Sequence, residues 1–597
     1  MLAALLAGAL ALAPATAHAA AAQALPHVTI SPLDGTPDAS PTTQISFLGV
    51  AAEDISRVSV HGSRSGTHRG RLEPYSTGTG VSYQPLRPLT PGETVKVSAV
   101  ETASGRHQTI GTTFTVAREF VIPPSLYMQP PPATTVAPAG SVSSFLSLPS
   151  LHPPVSTITA SAADPTLGDI FLTPSGGGAQ AGPMIVSPAG QLVWFSPEPP
   201  GMQAENLRVQ QYQGQTVLTY WQGRIVLGHG AGSGVIVNTA YQEIAHVAAG
   251  NGLTMDLHDF DLEPDGTALI TVYDPIQFDL RKYGGSANGV LEDCVIQQID
   301  VKTGLVMFEW HALGHVPLTD SRTPPRIASD RKSDVWDWFH INSIFREADG
   351  NLLISSRNTW AVYQIGRSFG EVLWRLGGRR SSFTLGPGVR FAWQHDATVL
   401  PDGTIEIFDN EATPAIATQS RGIDVAIDLQ KHTATLLHQY INPGQAILSP
   451  SQGDVQQLSD GDQLIGWGQI GLVTELSQAA ALTFQLKLPV NVQSYRAYRF
   501  PWAAQPTTPP VATATRAAGA ASTTVAASWD GATAVASWQV MAGATPTALV
   551  AVGAPVASAG FETQIAAATT APYVGVEALD ANGTPLARAT PVAVSAS

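Results

Sequence analysis

The stretch His395-Asp396-Ala397-Thr398-Val399-Leu400-Pro401-Asp402-Gly403-Thr404-Ile405-Glu406-Ile407-Phe408 reads as a β-hairpin. An Asp-Gly pair, suited to the positive φ of a tight turn, separates two runs of strand-forming residues. The same turn-then-strand unit recurs four more times. Gln213-Gly214 precedes a strand over 216–220, Asp265-Gly266 one over 268–272, Asp349-Gly350 one over 352–355, and Asp460-Gly461 one over 463–467. A second hairpin type, often ending in an aromatic residue, falls at 184–195, 235–247, 296–310, 363–374, 425–440 and 473–488. The two types alternate strictly. Two hairpins make one four-stranded sheet, and a repeat of such sheets predicts propeller blades. The outer hairpin 184–195 lacks an inner partner at its own end of the chain. If the strand-like segment 491–500 completes that sheet, the ring closes with six blades across the two ends.

Composition agrees with an all-β chain. Of 597 residues, 44% are hydrophobic and only 13% charged, with 55 glycines and 45 prolines to supply turns. The expected architecture is a six-bladed β-propeller with an N-terminal Ig-like β-sandwich and a C-terminal small β-domain. Residues 1–19 read as a secretory signal peptide, 24–118 as the sandwich and 119–165 as a Pro-rich extended linker. The propeller then spans 166–504, and an Ala/Thr-rich β-domain 505–597. The expected location is secreted, periplasmic or cell-surface. A net charge of -15 argues against a nucleic-acid partner. No segment reads as a convincing membrane span. Cys294 is the single cysteine, so no intrachain disulfide and no cysteine-based zinc site is expected. It reads as a buried inert thiol.

The repeat also gives register. Eight residues before each turn glycine stand Asn206, His258, Asn342, His395 and Gly453. Residues entering an innermost strand face the central channel. His340 lies two residues before Asn342 and therefore on the same side of that strand. Arg357 follows the strand of the same sheet. The sequence thus places His258, His340, Asn342, Arg357 and His395 around one channel mouth.

That set suits an anionic reactant. A histidine near neutral pH serves as nucleophile or base, while an arginine and protonated histidines stabilise oxygens that gain charge. No Gly-x-Ser-x-Gly elbow and no phosphate-binding glycine loop competes. Trp336, Trp338, Trp360 and Trp393 flank these motifs and could stack on aryl rings or simply pack between sheets. His229, His246, His311, His315, His432 and His438 read as structural or solvated.

Leu257-His258-Asp259, Phe339-His340-Ile341-Asn342-Ser343, Ser355-Ser356-Arg357 and Gln394-His395-Asp396 resemble the active-site motifs of bacterial arylsulfate sulfotransferases. The resemblance covers about residues 120–500. It implies a six-bladed propeller that moves a sulfuryl group from an aryl sulfate ester to a phenol without a nucleotide donor. It further implies His395 as the sulfated nucleophile, with His258, His340 and Arg357 holding the sulfate oxygens. Asn342 would assist by hydrogen bonding, Arg421 and Asp424 would form an outer layer, and Trp393 would line the substrate. The partners implied are small aryl sulfates and phenols, with a homodimer allowed and neither cofactor nor metal required. Two other readings stay open on the residues alone. The three histidines could bind a metal, or the chain could be a non-catalytic ligand-binding or adhesion module.

Overall fold

The computed structural model describes residues 28–103, 105–129, 136–325 and 335–596. The signal-peptide reading of 1–19 and the triplet Pro130-Pro131-Pro132 lie outside these residues. The described chain is all-β, and its helical segments are single 3-10 turns of three residues.

Among the described residues, the central part of the chain forms six four-stranded antiparallel units. Their first strands are β1 (Gln203–Tyr212), β2 (Met255–Leu262), β3 (Ile341–Arg346), β4 (His395–Val399), β5 (Asp454–Gln457) and β6 (Val492–Phe500). The expected turns hold. Gly214, Gly266, Gly350, Gly403 and Gly461 all carry φ between 76° and 90°, a region that costs other residues energy. Each first strand lies against the next, and β6 lies against β1. Strand β6 pairs with Asp169–Gly176, in register from Asp169 opposite Phe500 to Gly176 opposite Val492. Asp169–Gly176 then pairs with the outer hairpin Met184–Val186 and Leu192–Phe195. The sheet whose inner partner the sequence left open is therefore built from both ends of the chain. Asp169–Gly176 itself was not foreseen.

Side-chain alternation explains how neighbouring sheets adhere. Leu352 and Ile354 enter one buried cluster with Leu269, Ile296 and Ile344, while Leu353 and Val362 enter another with Ile405, Ile407 and Ile423. Successive residues of one strand point to opposite faces, so a sheet buried on both sides carries a nearly continuous apolar run.

Two four-stranded sheets over residues 29–115 face each other across a core containing Ile45, Phe47, Val60, Val95, Val97 and Phe114. They dock on the central units through main-chain contacts: Tyr75 Oη donates to the Val306 carbonyl at 2.7 Å, and Thr42 Oγ1 to that of Asn251 at 2.6 Å. The following segment runs along the same body. The Phe120 amide donates to the Pro275 carbonyl, and Thr157–Ala160 adds a fifth strand to the unit begun by β5. Two further sheets between Val511 and Ala596 enclose an alanine- and valine-rich core with Trp529 and Trp538. Cys294 is fully buried, and its sulfur accepts from the Ile341 amide at 3.4 Å.

Candidate functional site

The ladder breaks where the first strands lie against one another. Register shifts fall between Glu205 and Arg208 on β1, Met255 and Phe260 on β2, Ile341 and Ser343 on β3, and His395 and Thr398 on β4. A bulge bends a strand and re-aims its side chains. Asn206, His340, Trp393, Asp396 and Gln452 also hold φ between 51° and 67°. Non-glycine residues in that region are uncommon and gather where function over-determines the backbone. His340 therefore reaches the site through a left-handed turn just before β3, and not through the period-two alternation expected from the sequence.

Three buried imidazoles and a half-buried guanidinium meet here. The His258 and His340 rings stand 4.9 Å apart at 78°. Tyr495, on β6, lies against both His258 and His395, with centroids at 5.6 and 6.4 Å. Arg357 rests on the face of Trp393 at 4.8 Å, and its amide donates to the His340 carbonyl at 2.9 Å.

Each histidine is fixed through Nδ1. His258 Nδ1 meets Asp256 Oδ2 at 2.7 Å, and His340 Nδ1 meets Asp337 Oδ2 at 2.5 Å. Such carboxylates orient the ring and leave Nε2 for a ligand. Burial opposes ionisation of both carboxyl groups. Even so, His258 and His229 hold Asp256 below the ordinary carboxylate range, and His340 holds Asp337 below it.

His395 differs, because its Nδ1 partner is the neutral Asn410 Oδ1 at 2.7 Å. Asn410 Nδ2 donates to the carbonyls of Gln452 at 2.8 Å and Ser449 at 3.3 Å, which fixes the amide with its oxygen toward the imidazole. The proton of His395 must then sit on Nδ1, leaving a lone pair on Nε2, which accepts a long bond of 3.3 Å from the Gln452 amide. Burial first, then the positive charge of Arg357, holds this imidazole well below its ordinary pKa. His340 is also lowered, by burial, despite its carboxylate. His395 is thus a neutral base beside a fixed cation, an arrangement able to attack an electrophile whose oxygens carry negative charge.

Behind these groups, Tyr273 is sandwiched between His258 at 5.4 Å and His229 at 4.7 Å. His229 Nε2 lies 2.7 Å from Glu292. Burial disfavours its charge, yet the Glu292 carboxylate raises its pKa to about 9.

The remaining sequence-derived residues take other places. Asn342 is buried and donates to the Gln394 carbonyl at 2.7 Å, as Asn206 donates to His258 at 2.8 Å. Asn342 is thereby tied to the segment leading into His395. Arg421 is bonded to Asp409 at 2.9 Å, Gln439 at 3.1 Å and the Arg390 carbonyl at 2.8 Å. Among the described residues no contact joins it to the histidines. Asp424 accepts from Tyr440 Oη at 3.0 Å on an outer strand pair. Trp393 is 3% exposed and its indole N–H donates to Pro414, so it carries Arg357 on its face instead of presenting that face to substrate. Trp336 and Trp338 are buried packing residues. Of the other histidines, His311 is buried, while His246 and His438 have largely exposed side chains.

Sequence reasoning missed Asp256, Asp337, Asn410, His229 and Tyr495. The first two had a local signal, standing two and three residues ahead of a site histidine. The last three come from other strands at positions that do not repeat.

Beneath the histidines lies a buried charged girdle. Arg496 on β6 reaches Asp259 at 3.4 Å and Asp396 at 3.3 Å, and donates to the Asn342 carbonyl at 2.9 Å. Asp259 and Asp396 directly follow His258 and His395. Each also clasps the next first strand: Asp259 accepts from the Ile344 amide at 2.8 Å, and Asp396 from that of Val455 at 3.4 Å. The His-Asp pairs therefore divide their work, the imidazole facing the site and the carboxylate locking sheet to sheet.

Residues 208–488 match the family described as Arylsulfotransferase (ASST). A comparison with curated proteins finds no match. Among solved structures, a protein of unknown function from Bacteroides caccae is similar at 15% identity, covering 55% of this chain and 98% of that one with a TM-score of 0.34. A catalytically inactive virginiamycin B lyase from Staphylococcus aureus with quinupristin is similar at 10% identity, covering 56% and 89% with a TM-score of 0.30.

Proposed function

We propose that this chain, whose residues 208–488 match the arylsulfotransferase family, carries a sulfuryl group from an aryl sulfate ester to a phenolic acceptor through His395. The observation that carries the reading is the contact of His395 Nδ1 with Asn410 Oδ1 at 2.7 Å, which turns Nε2 toward the site, in a buried position with Arg357 close by.

In this reading Nε2 of His395 attacks sulfur in line with the aryl oxygen. The S–O bond breaks, and the phenolate leaves with the electron pair. Arg357 and Nε2–H of His258 hold sulfuryl oxygens, while His340, neutral with its proton on Nδ1 toward Asp337, keeps Nε2 as a base. Sulfuryl transfer resembles phosphoryl transfer in relying on positioning and charge stabilisation. In the second half, the acceptor oxygen attacks sulfur and the N–S bond breaks. The acceptor proton passes to Nε2 of His340, a role its lowered pKa favours. The direct test incubates the protein with a chromogenic aryl sulfate and follows phenolate release. Release that rises with added phenol is expected, and no acceptor dependence across a broad donor panel would end the reading.

Two outcomes follow from the geometry. Asn410→Ala frees the imidazole to adopt the wrong tautomer, and kcat should fall about 10- to 100-fold with little change in KM. A similar fall in KM-limited and saturating rates for a folded variant checks this. The second concerns pH. His395 must be neutral to attack, and its folded pKa lies below the ordinary value, so the acid limb of kcat/KM should fall well below about pH 6.5. Removing the repelling cation by Arg357→Ala should raise that limb toward 6.5 and slow turnover about 100- to 1000-fold. A pH profile of both proteins measures the shift.

The fold reading accompanies this one. The six central units are taken as blades of a propeller over 166–504, supported by the cycle of first-strand contacts. The two sheets before it are taken as an Ig-like sandwich, 119–165 as a linker, and 505–597 as a separate β-domain. Residues 1–19 are taken as an export signal, so the enzyme would meet its phenols outside the cytoplasm. Intact mass of the exported chain tests the cleavage.

A further inference from the structure

Away from the histidine pocket, where the N-terminal sheets dock, a second ionisable group of side chains is fully enclosed. Asp38 arrives from the sandwich, on the loop joining its first two strands. Asp293, His311 and Asp274 come from the unit begun by β2. Each is at most 3% exposed. His311 Nδ1 stands 3.1 Å from Asp38 Oδ1 and 3.3 Å from Asp293 Oδ2, and neither contact has hydrogen-bond geometry. Both Asp38 oxygens, Asp293 Oδ2, Asp274 Oδ2 and His311 Nδ1 are buried without a hydrogen bond. Asp274 and Asp293 are also directly opposite each other across an antiparallel strand pair. Like charges so placed are destabilising.

The other ring nitrogen decides what the pocket wants. Glu309 Oε2 accepts from Asn251 Nδ2 at 2.9 Å and Gln297 Nε2 at 2.7 Å, and its Oε1 meets His311 Nε2 at 3.1 Å. The Nε2 proton is therefore held by Glu309, and Nδ1 faces two carboxylate oxygens. That contact needs positive charge, supplied by a second ring proton or by a metal cation lying between the three groups. A carboxylate behind one histidine nitrogen with the other aimed at acidic ligands is the usual setting of a metal-bound imidazole. The spacings agree, since adjacent ligands about 2.0–2.2 Å from one metal stand roughly 3.0–3.5 Å apart. The three ligand atoms all lie within 4.8 Å of one another.

We propose that Asp38, Asp293 and His311 bind a divalent transition cation of the zinc or manganese class, which staples the N-terminal sandwich to the central units. The nitrogen ligand disfavours calcium, which takes oxygen ligands. The site is independent of sulfuryl transfer.

The test uses the full chain, prepared without chelator. Elemental analysis of the wild type, as purified or after exposure to Zn2+ or Mn2+ and desalting, should find about one metal per chain. Asp38→Asn, which removes a ligand from a loop without disturbing the central sheets, should lose most of it. EDTA should lower the wild-type Tm, and Zn2+ or Mn2+ should restore it where Ca2+ does not. Neither addition should move the Tm of Asp38→Asn. Metal-free wild type with a Tm indifferent to all of these would make His311 a buried imidazolium and overturn the proposal. So would binding of Ca2+ alone, or metal lost from His395→Ala but kept in Asp38→Asn.

Discussion

His395→Ala is expected to lower acceptor-dependent phenolate release by about 10^4-fold or more, without loss of fold. The size follows from the roles this imidazole holds. It supplies the atom that forms the new bond to sulfur, and no other histidine among the described residues has the same set of neighbours. His258 and His340 each use Nδ1 on a carboxylate, which suits binding an anion. Only His395 among the three is oriented by a neutral amide and kept unprotonated by burial beside Arg357. Mass spectrometry after exposure to donor without acceptor should find the sulfuryl adduct on His395. An adduct on His258 or His340 would move the nucleophile, and a variant with near-native turnover would abolish the proposed step.

The second large effect is on stability. Arg496→Met should cost about 3–5 kcal/mol in unfolding free energy. The guanidinium is 2% exposed and holds Asp259, Asp396 and the Asn342 carbonyl at once. Its removal leaves Asp396 buried beside Asp454 without its ion-pair partner, and Asp259 with Arg208 alone, at 3.1 Å. If charge is the cause, adding Asp259→Asn and Asp396→Asn to Arg496→Met should recover part of the loss. Urea melts of the single and triple variants separate this from simple loss of volume. A single variant as stable as wild type would remove the girdle from the account.

How far the sequence reached depends on which features repeat. The turn glycines at 214, 266, 350, 403 and 461 repeat because every inner hairpin needs the same left-handed turn, so counting back from them found Asn206, His258, Asn342 and His395. The aspartates after His258 and His395 were visible in the motifs, but their work was not, since Arg496 belongs to a strand more than 100 residues away from either. Tyr495 was hidden for the same reason, and Asn410, 15 residues after His395, because its position does not repeat from sheet to sheet. Arg421 and Trp393 looked like substrate ligands because arginine and tryptophan beside such motifs suit aryl sulfates. Folded, one is neutralised by Asp409 and the other is a platform for Arg357. Asp38 escaped notice because a lone aspartate in a loop carries no signal until another part of the chain surrounds it.

Strand β6 has a consequence for biosynthesis. A ribosome finishes five of the first strands before it reaches Val492, and until then Asp169–Gly176 keeps a bare inner edge while Asp259 and Asp396 wait without Arg496. The nascent protein must stay unlatched through more than 300 residues of synthesis. A chain cut short near residue 490 would therefore be expected to clump through its open edge, and only the whole polypeptide would snap shut around its anion cradle.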